Sequence, residues 1–493
     1  MKVVVLADIG QHVYHVGDEA MGHAAAQELG NRGVDVVMLS RNPAQSRELF
    51  GTQSAPTITF PWPPLERERY LDEISRVLQG ERGALPPEDQ VWDLIRLIEG
   101  SDAVLICGGG NMNSSYGWLL YERAAVGVVA AHFNKPLVIS GQTLGPTLTA
   151  HDGLVLSSLL ESARLVGVRE NASHQLALEG GLPPQQLVAG LDDAAFFANA
   201  NSKADAGRAP YMAVTFSPGT GILPADEYFK KVAAVLDELS EVSGLGVVFI
   251  PHMADTESRD QDLWAHRLIA DAMRTDTHKI EQLELLEADE AAAITVGASL
   301  VITSRYHPVV FATGAGIPVV SLSPDQYSDV RLSGALRNWG LEPFNLPVTS
   351  LLNGDFRTAA LAAWEQRAAI AGHLHSLGEQ RRAEAQNWWD GAVRALGGER
   401  SQTPANISPA PPYEGATSWS ADADAVRRVI NPLGKRAAIA ELELQREQDL
   451  RRVAGNEAAA AREELQRLLG SKAFRVASNA WKITGKLTRR EPS

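Results

Sequence analysis

Short apolar runs alternate with longer helix-like stretches through most of the chain. In the first part of the chain the apolar runs are six or seven residues long and lie at 2–7, 34–39, 102–107, 135–140 and 163–169. Segments with the apolar spacing of a helix, such as 18–33, separate them. Runs that are apolar throughout, rather than at alternate positions, are typical of parallel strands buried on both faces. The pattern therefore predicts an α/β domain with a parallel sheet over residues 1–198.

A second series of apolar runs follows a polar, alanine-rich break at 198–210. Its strand-like runs lie at 211–216, 245–250, 299–303 and 317–322, again with helical stretches between them. Two αβ halves in sequence predict two Rossmann-like domains that face a cleft, the second over 210–345. Residues 346–397 have a helical pattern, and we expect them to brace the two halves.

The composition changes after residue 397. Residues 398–423 are rich in Gly, Ser, Pro and Thr, which predicts a flexible linker. Residues 424–493 are predicted to form a helical tail, whose stretch 471–490 contains six Lys or Arg and no acid. On a helix, this stretch would oppose a basic face to an apolar face that includes Trp481, the pattern of a helix lying on anionic lipid. The alternative is an ordinary amphipathic helix packed on the body or on a partner.

Length, charge and cysteine content narrow the class of protein. A chain of 493 residues is too long for one core, and its net charge of −15 argues against a nucleic-acid surface on the main body. The single cysteine, Cys107, excludes an internal disulfide and fits a reducing compartment. The apolar run at the N-terminus is too short for a signal peptide, and there is no apolar stretch of about 20 residues. We therefore expect a cytoplasmic protein, peripheral on the inner face of the membrane if the tail binds lipid.

Polar and glycine residues follow three strands of the first half. A glycine run comes after the strand at 102–107, where it permits positive φ angles and a close approach of the backbone to a ligand. It matches neither a P-loop nor a dinucleotide fingerprint, and a tight strand-to-helix turn is the alternative. Because the ends of parallel strands meet at one edge of a sheet, we expect these residues to converge on one crevice. They are Gly108, Gly109, Gly110, Asn111, Gln142 and Arg169.

The stretch "TSRYHPVVFATGAGIPVVSL" (303–322) holds the strongest candidate site of the second half. It predicts a strand, a turn, a short helix and a second strand, with Pro308 in the first helical turn. Arg305 and His307 then lie at the end of a parallel strand, beside a helix N-terminus that favours an anion. His252 ends another strand of this half. Asp18 follows the first strand, either as a helix N-cap or as a carboxylate facing the cleft.

The order of these motifs resembles the polysaccharide pyruvyl transferase family. The motifs are "GDEA", "CGGGN", "GQTLGP", "VRENAS", "DDAAF" and the stretch from Ser304 to Leu322, so the resemblance covers about residues 1–345. It implies a GT-B-like fold and transfer of a pyruvyl group from phosphoenolpyruvate onto sugar hydroxyls in bacterial surface polysaccharide biosynthesis, leaving a pyruvate ketal and phosphate. It also implies that Arg305, His307 and Arg169 hold the donor.

The chemistry of the donor agrees with these residue types. Phosphoenolpyruvate carries a carboxylate and a phosphate, which guanidinium groups bind in bidentate fashion. Attack at C2 requires protonation of the enol carbon and deprotonation of the sugar hydroxyl. We assign His307 as the acid or as a donor to phosphate, and Asp18 as the base. One departure from the family lies in "DQYSDVRL": a Tyr-x-x-Lys lysine is replaced by Val330, so either Arg331 supplies the cation or this branch uses another donor.

Two other functions remain open at this stage. One keeps the fold and makes the protein a GT-B glycosyltransferase that uses a nucleotide-sugar. The other is a catalytically degenerate scaffold of a glycan assembly complex. The expected acceptor is a glycan or lipid-linked sugar, homo-oligomerisation is left open, and neither a metal nor a resident cofactor is implied. Of two Asp-x-Asp matches, the one at 260–262 has no supporting His or Asp constellation, and the one at 422–424 adjoins the predicted linker.

Overall fold

The computed structural model describes residues 1–198, 208–254, 261–399, 403–415 and 417–478. The first half contains an eight-stranded parallel sheet in the order β4-β3-β1-β5-β7-β8-β9, with β6 beside β7. Its strands are β1 (Lys2–Leu6), β3 (Asp35–Ser40), β4 (Gln53–Pro56), β5 (Ala103–Ile106), β6 (Gly109–Met112), β7 (Leu137–Leu144), β8 (Leu165–Val168) and β9 (Leu187–Ala189), and a two-residue strand β2 (Tyr14–His15) lies outside the sheet. Its helices are α1 (Val16–Asn31), α2 (Pro43–Phe50), α3 (Pro64–Leu78), α4 (Val91–Glu99), α5 (Gly117–His132), α6 (Ala150–Ser162) and α7 (Asn171–Glu179).

The second half contains a six-stranded parallel sheet in the order β13-β11-β10-β14-β15-β16. Its strands are β10 (Tyr211–Thr215), β11 (Gly246–Phe249), β13 (Ile280–Gln282), β14 (Leu300–Thr303), β15 (Val319–Ser323) and β16 (Asn345–Pro347), and the two-residue β12 (Met253–Ala254) again lies outside the sheet. Its helices are α8 (Ala225–Ser243), α9 (Asp262–Ala272), α10 (Ala288–Val296), α11 (Tyr306–Ala315) and α12 (Gln326–Arg337). Each of the nine apolar runs that predicted a strand contains or overlaps one of these strands, so the expected α/β architecture with parallel sheets is confirmed.

A short antiparallel pairing joins the two halves at the cleft. Strand β2 of the first half pairs with β12 of the second, with His15 opposite Met253. The Val16 backbone N–H also donates to the His252 carbonyl across 2.9 Å. The start of α1 is thereby held against the loop that follows β11, which brings the polar ends of both sheets together.

Three further helices follow β16 and return the chain to the first half. They are α13 (Ser350–Asn353), α14 (Asp355–Glu365) and α15 (Arg367–Leu396). Near the end of α15, the Trp388 indole N–H donates to the Ser140 hydroxyl across 2.9 Å. A side chain at Gly167 would meet this indole at 2.5 Å, so the absence of a Cβ there admits the tryptophan. Helix α15 is therefore fixed on the first sheet as well as on the second half.

The interpretation of 398–423 as a flexible linker does not hold for the described residues 403–415. The Ile407 N–H donates to the Ala189 carbonyl across 2.8 Å, and the Asn406 side chain accepts from the Ala189 N–H across 2.8 Å. Farther along, the Tyr413 N–H donates to the Gly340 carbonyl. Residues 406–407 therefore hydrogen-bond with the edge strand β9, and the segment crosses from the first half to the second in an ordered path.

The tail begins with α16 (Ser420–Gly470), a helix of 51 residues. It packs on the second half through Arg427, which donates to Asp329 across 2.9 Å, and on the first half through Arg446, which donates to Glu68 across 2.9 Å. Most of the basic stretch that predicts lipid binding lies outside the described residues, since 479–493 are not described. Within the described ranges, every helix is too short or too polar to cross a lipid bilayer.

Candidate active site in the interdomain cleft

Arg169 extends from the end of β8 into the base of the cleft and is fully buried. Its Nη1 donates to Asp192 Oδ2 across 2.6 Å, and its Nε donates to Thr143 Oγ1 across 2.9 Å. Its guanidinium carbon lies 4.3 Å from the centre of the Tyr306 ring, which belongs to the other half. The position of this cation is therefore set by an ion pair, a hydroxyl and an aromatic face.

Arg331 approaches the same place from α12. Its guanidinium carbon lies 3.8 Å from the centre of the Tyr327 ring and 5.6 Å from that of Tyr306. Among the described residues, no carboxylate lies within ion-pair distance of this guanidinium and its Nε has no hydrogen-bond partner. A Cβ added at Gly110 would lie 3.2 Å from Arg169 Nη2 and 3.3 Å from Arg331 Nη1. The backbone of Gly110 thus lies between two guanidinium groups, one from each half of the molecule.

His307 lies in the first turn of α11 and is buried. Its ring packs directly on Gly17 of α1, where an added Cβ would meet Nδ1 at 1.7 Å. Its Nε2 has no hydrogen-bond partner and lies 3.9 Å from Asp192 Oδ1. Burial, with a smaller effect of the nearby Arg169 cation, lowers the pKa of His307 well below its ordinary value. The imidazole is therefore neutral at pH 7, and one ring nitrogen is free.

Arg305, the other residue predicted from this motif, is paired with a buried carboxylate. Its Nη2 donates to Asp262 Oδ1 across 2.6 Å, and its Nε donates to the same oxygen across 3.0 Å. Asp262 also accepts from the backbone N–H groups of His252 and Met253, across 3.0 and 3.1 Å. Burial alone would raise the Asp262 pKa, but the Arg305 cation outweighs it and the pKa is lowered. The charge of Arg305 is thus already compensated.

Asp18 and His252 lie next to the β2–β12 pairing that joins the two halves: Asp18 follows β2 in the chain, and His252 precedes β12. Asp18 is in the first turn of α1, and the N-cap is His15, so the interpretation of Asp18 as the N-cap is wrong. Asp18 Oδ2 lies 3.3 Å from His15 Nδ1, and burial raises the pKa of this carboxyl. Neither ring nitrogen of His252 has a partner, and burial lowers its pKa to about 3.

The glycine run and its neighbours build the floor of the cleft. The Gly108 N–H donates to Asp193 Oδ2 across 2.7 Å, and a Cβ at Gly108 would meet that oxygen at 2.9 Å. Gln142 donates to the Cys107 carbonyl, and Asn111 donates to Asp8 across 2.9 Å. Gly109 contributes the first residue of β6. The Gly110 carbonyl already accepts from Asn113 Nδ2 across 3.0 Å and from the Tyr327 hydroxyl, whereas one side-chain oxygen each of Asn111 and Gln142 has no hydrogen-bond partner.

Four residues of the site were not among those predicted from the sequence. Asp192 pairs with Arg169, and Asp262 pairs with Arg305. Tyr306 and Tyr327 supply the aromatic faces on which the guanidinium groups lie. The Tyr306 position was visible between Arg305 and His307. Asp192 belongs to the DDAAF motif and Asp262 to an Asp-x-Asp match, but nothing in the sequence indicates their pairing with these arginines, because an ion pair between distant residues depends on the fold.

Comparisons with known proteins identify a family and a relative. A family model described as polysaccharide pyruvyl transferase matches residues 15–326, which is more than half of the chain. The chain is 22% identical over 391 residues to the amylovoran biosynthesis protein AmsJ of Erwinia amylovora, covering 72% of this chain and 90% of that protein.

Solved structures with a similar fold include a putative UDP-N-acetylglucosamine 2-epimerase from Listeria monocytogenes. The TM-score is 0.56 at 13% identity, covering 83% of this chain and 99% of the epimerase. Anabaena HepE, crystallised with UDP and glucose, matches with a TM-score of 0.50 at 15% identity, covering 77% of this chain and 95% of that one. At these identities the similarity shows the fold, and it confirms the expected GT-B-like arrangement.

Proposed function

The chain belongs to the polysaccharide pyruvyl transferase family and is a transferase, and we propose that it moves the pyruvyl group of phosphoenolpyruvate onto two hydroxyl groups of a sugar during polysaccharide assembly. The observation that carries this proposal is the convergence of Arg169 and Arg331 on Gly110 from opposite halves. The similarity to a protein named for amylovoran biosynthesis supports the polysaccharide context.

Two guanidinium groups beside one backbone position suit a small dianionic or trianionic donor. Each can bind a carboxylate or phosphate through two parallel hydrogen bonds. Arg169 is compensated by Asp192, whereas Arg331 faces aromatic rings and has its charge available. This supports Arg331 as the cation that replaces the lysine of the family's Tyr-x-x-Lys pattern. We assign Arg305 to holding the second half's polar loop in place through Asp262, at the edge of the donor site.

The reaction balances with two sugar hydroxyls and no further reactant. One hydroxyl adds to C2 of phosphoenolpyruvate while C3 takes up a proton, which gives a phosphate-bearing ketal with a methyl group. The second hydroxyl then displaces the phosphate from C2 and closes the cyclic ketal. One hydroxyl proton ends on C3, and the other leaves with the products alongside inorganic phosphate.

The protonation states in the cleft favour a different assignment of acid and base from the one made on the sequence. His307 is neutral, and its unpartnered Nε2 can accept the proton of the attacking hydroxyl, while the lowered pKa makes it a weaker base than a solvent-exposed imidazole. Asp18 has a raised pKa, so its carboxyl is suited to donate a proton to C3. Asp18 follows Gly17 in α1, and Gly17 packs on the His307 ring. We therefore propose His307 as base and Asp18 as acid.

The donor is identified by calorimetric titration of phosphoenolpyruvate and of a panel of nucleotide-sugars into the wild type and Arg331→Gln. Losing a hydrogen-bonded ionic contact of about 1.5–3 kcal/mol weakens phosphoenolpyruvate binding by about 10-fold to 100-fold. The matched control is Arg337→Gln, which removes a cation of the same helix whose partner Glu342 is at the surface. Arg305→Ala is less informative, because it leaves the buried Asp262 carboxylate unpaired and destabilises the fold.

The outcomes of this titration distinguish the three candidate functions. Saturable phosphoenolpyruvate binding that Arg331→Gln weakens and Arg337→Gln preserves supports the pyruvyl transferase. Binding of a nucleotide-sugar alone would make the protein a GT-B glycosyltransferase. Binding of neither class by the wild type would favour a catalytically degenerate scaffold.

We also propose that the enzyme works on a lipid-linked acceptor at the inner face of the membrane. The proposal rests on the basic and aromatic composition of 471–490, of which 479–490 lie outside the described residues. Co-sedimentation with vesicles containing anionic lipid is expected for the full chain and lost on deletion of 471–493. Binding that persists after the deletion would assign the membrane contact elsewhere.

A further inference from the structure

A continuous line of aromatic side chains leads from Arg331 to the surface of the first half. Beyond Tyr327, the ring of Tyr116 lies 5.7 Å away, and Trp118 lies 5.8 Å from Tyr116. Trp118 in turn stacks on Trp62, with ring centres 4.3 Å apart and planes 30° apart. None of these four aromatic residues is used by the donor chemistry, apart from the contact of Tyr327 with Arg331.

Trp62 is the outermost member and remains 65% exposed. One face of its indole is covered by Trp118, so the exposed area is a broad apolar surface on a residue that is held in position. Holding a large aromatic side chain in water has an energetic cost, and a patch of this kind on a soluble protein commonly marks a binding site. Position and exposure together indicate a ligand that contacts the indole face.

Polar groups surround these rings. The cavity beside Trp62 and Trp118 is lined by the exposed Ser115, by the buried Asp152, which pairs with Arg67, and by Gln445 and Arg446 of α16. The gap between the rings and α16 is about 30 Å³, room for about one water molecule. A larger ligand must therefore lie along the outer face of Trp62 rather than beneath α16.

We propose that Trp62, Trp118 and Tyr116 bind the sugar chain of the acceptor and lead its reacting sugar to the arginine pair. A pyranose presents C–H groups on its faces and hydroxyls around its rim, which matches flat aromatic surfaces bordered by hydrogen-bonding side chains. The line is long enough for a few sugar rings and ends beside Arg331. We call Trp62, Trp118 and Tyr116 the Trp62 platform. The identification of the bound sugar as the acceptor rests on the proposed function, whereas the binding of sugar by the platform is independent of it.

The binding test is saturation-transfer NMR on the full chain with methyl glycosides of glucose, galactose, mannose, N-acetylglucosamine and glucuronic acid. The variants are Trp62→Ala and Trp62→Phe, and the control is Leu154→Ala, which removes an apolar side chain that is 69% exposed elsewhere in the first half. The Trp62 variants keep the hydrogen bond from Arg67, which uses the Trp62 backbone carbonyl, and change the stacking of the side chain on Trp118. At least one glycoside is expected to bind, with affinity at least 5-fold weaker in Trp62→Ala, largely restored in Trp62→Phe and unchanged in Leu154→Ala.

Three results would overturn the inference. They are no transfer to any glycoside, equal transfer in the wild type and Trp62→Ala, or a lower sedimenting mass in Trp62→Ala, which would place a second copy of the chain on this face. Calorimetry with phosphoenolpyruvate on the same samples separates the two proposals. Loss of glycoside binding with unchanged phosphoenolpyruvate binding supports the platform as a distinct subsite, and glycoside binding without phosphoenolpyruvate binding contradicts the proposed donor alone.

Discussion

At the scale of single residues, the cleft contains three arginines that do different things. Arg305 and Arg169 are each paired with a buried aspartate, so their charges are largely compensated within the protein. Arg331 has only aromatic faces beside it among the described residues. An anion entering the cleft therefore gains most from Arg331, although the sequence motif draws attention first to Arg305.

The buried histidines of the cleft make stability depend on pH. Burial lowers the pKa of His252 to about 3, so the folded chain leaves it neutral while the unfolded chain protonates it below its ordinary value of 6.5. Because the unfolded chain binds this proton more readily than the folded chain, the free energy of unfolding decreases as the pH falls from about 6.5 towards 3. We expect His252 alone to remove about 2 kcal/mol of stability between pH 7 and pH 5.

Urea denaturation at pH 7, 6 and 5 checks this. In His252→Leu, the loss of unfolding free energy between pH 7 and pH 5 is expected to be smaller by about 2 kcal/mol. The stability at pH 7 is expected to be nearly unchanged, because neither ring nitrogen has a hydrogen-bond partner to lose. His278→Leu, at an exposed histidine of the same half, is expected to keep the wild-type slope. An equal slope in His252→Leu and the wild type would mean that another group dominates the acid destabilisation.

At the scale of helices and strands, the sequence predicted the elements whose signal is local. Strands such as Val3–Leu6 and Leu300–Ile302 are apolar throughout because they are covered on both faces. This continuous apolar pattern can be recognised in the sequence alone. The edge strands β4 and β13, with the sequences QSAP and IEQ, are short and polar and carry no such pattern. The pairing of β2 with β12 joins residues about 240 positions apart, and nothing local indicates it.

The same distinction applies to the site. Arg169, His307 and Gly110 follow apolar strands or open a helix, so their convergence could be inferred from the parallel topology. The pairing of the arginines with Asp192 and Asp262 could not be inferred, because it joins residues that are distant in the chain. For the same reason, composition predicts a flexible linker over 398–423, although the backbone of the described residues 403–415 is hydrogen-bonded to Ala189 and Gly340.

The start of α1 sets the position of His307 and gives a prediction for Gly17. An added Cβ there would lie 1.7 Å from His307 Nδ1, so Gly17→Ala must displace the ring or the helix. We expect a loss of about 1–3 kcal/mol in stability from overpacking. We also expect a fall in kcat for phosphate release that exceeds any change in phosphoenolpyruvate affinity, because the base moves while the arginines stay.

Gly30→Ala is the matched control for this change, since Gly30 lies in the same helix and an added Cβ there meets no atom within 4 Å. It is expected to raise stability by up to about 1 kcal/mol, as alanine favours helix over glycine. Thermal unfolding and steady-state phosphate release on both variants decide the matter. Equal kcat values for Gly17→Ala and Gly30→Ala would show that His307 tolerates displacement and is not the base.

At the scale of the whole molecule, several contacts between described residues join the two halves, in addition to the segment 403–415. The β2–β12 pairing closes the cleft on one side, and α15 carries the chain back from the second half to the first sheet. In α16, Arg427 contacts Asp329 of the second half and Arg446 contacts Glu68 of the first half. These two arginines are 19 residues apart, which is about 28 Å along a helix. The same helix also supplies Asp449, which accepts from the Leu65 N–H at the start of α3, where a carboxylate is favoured.

The contact of α16 with α3 rests on partly exposed ion pairs, and it should open more easily than the cores on either side. Arg446 pairs with Glu68, and Arg452 pairs with Glu66. Pairs of this kind contribute about 0–1 kcal/mol each, so the double variant Arg446→Ala/Arg452→Ala is expected to unfold within about 2 kcal/mol of the wild type. Hydrogen exchange in residues 442–452 and at the start of α3 is expected to be faster, because the docked helix is released locally.

The control is Arg451→Ala, which removes an exposed arginine whose partner Glu447 belongs to the same helix. It is expected to leave exchange at the start of α3 unchanged. If the double variant and the control exchange alike, the ion pairs do not hold the helix against α3, and the hydrogen bond from the Leu65 N–H to Asp449 is the remaining described contact to test. If only the double variant exchanges faster, the two ion pairs hold this part of α16 against α3.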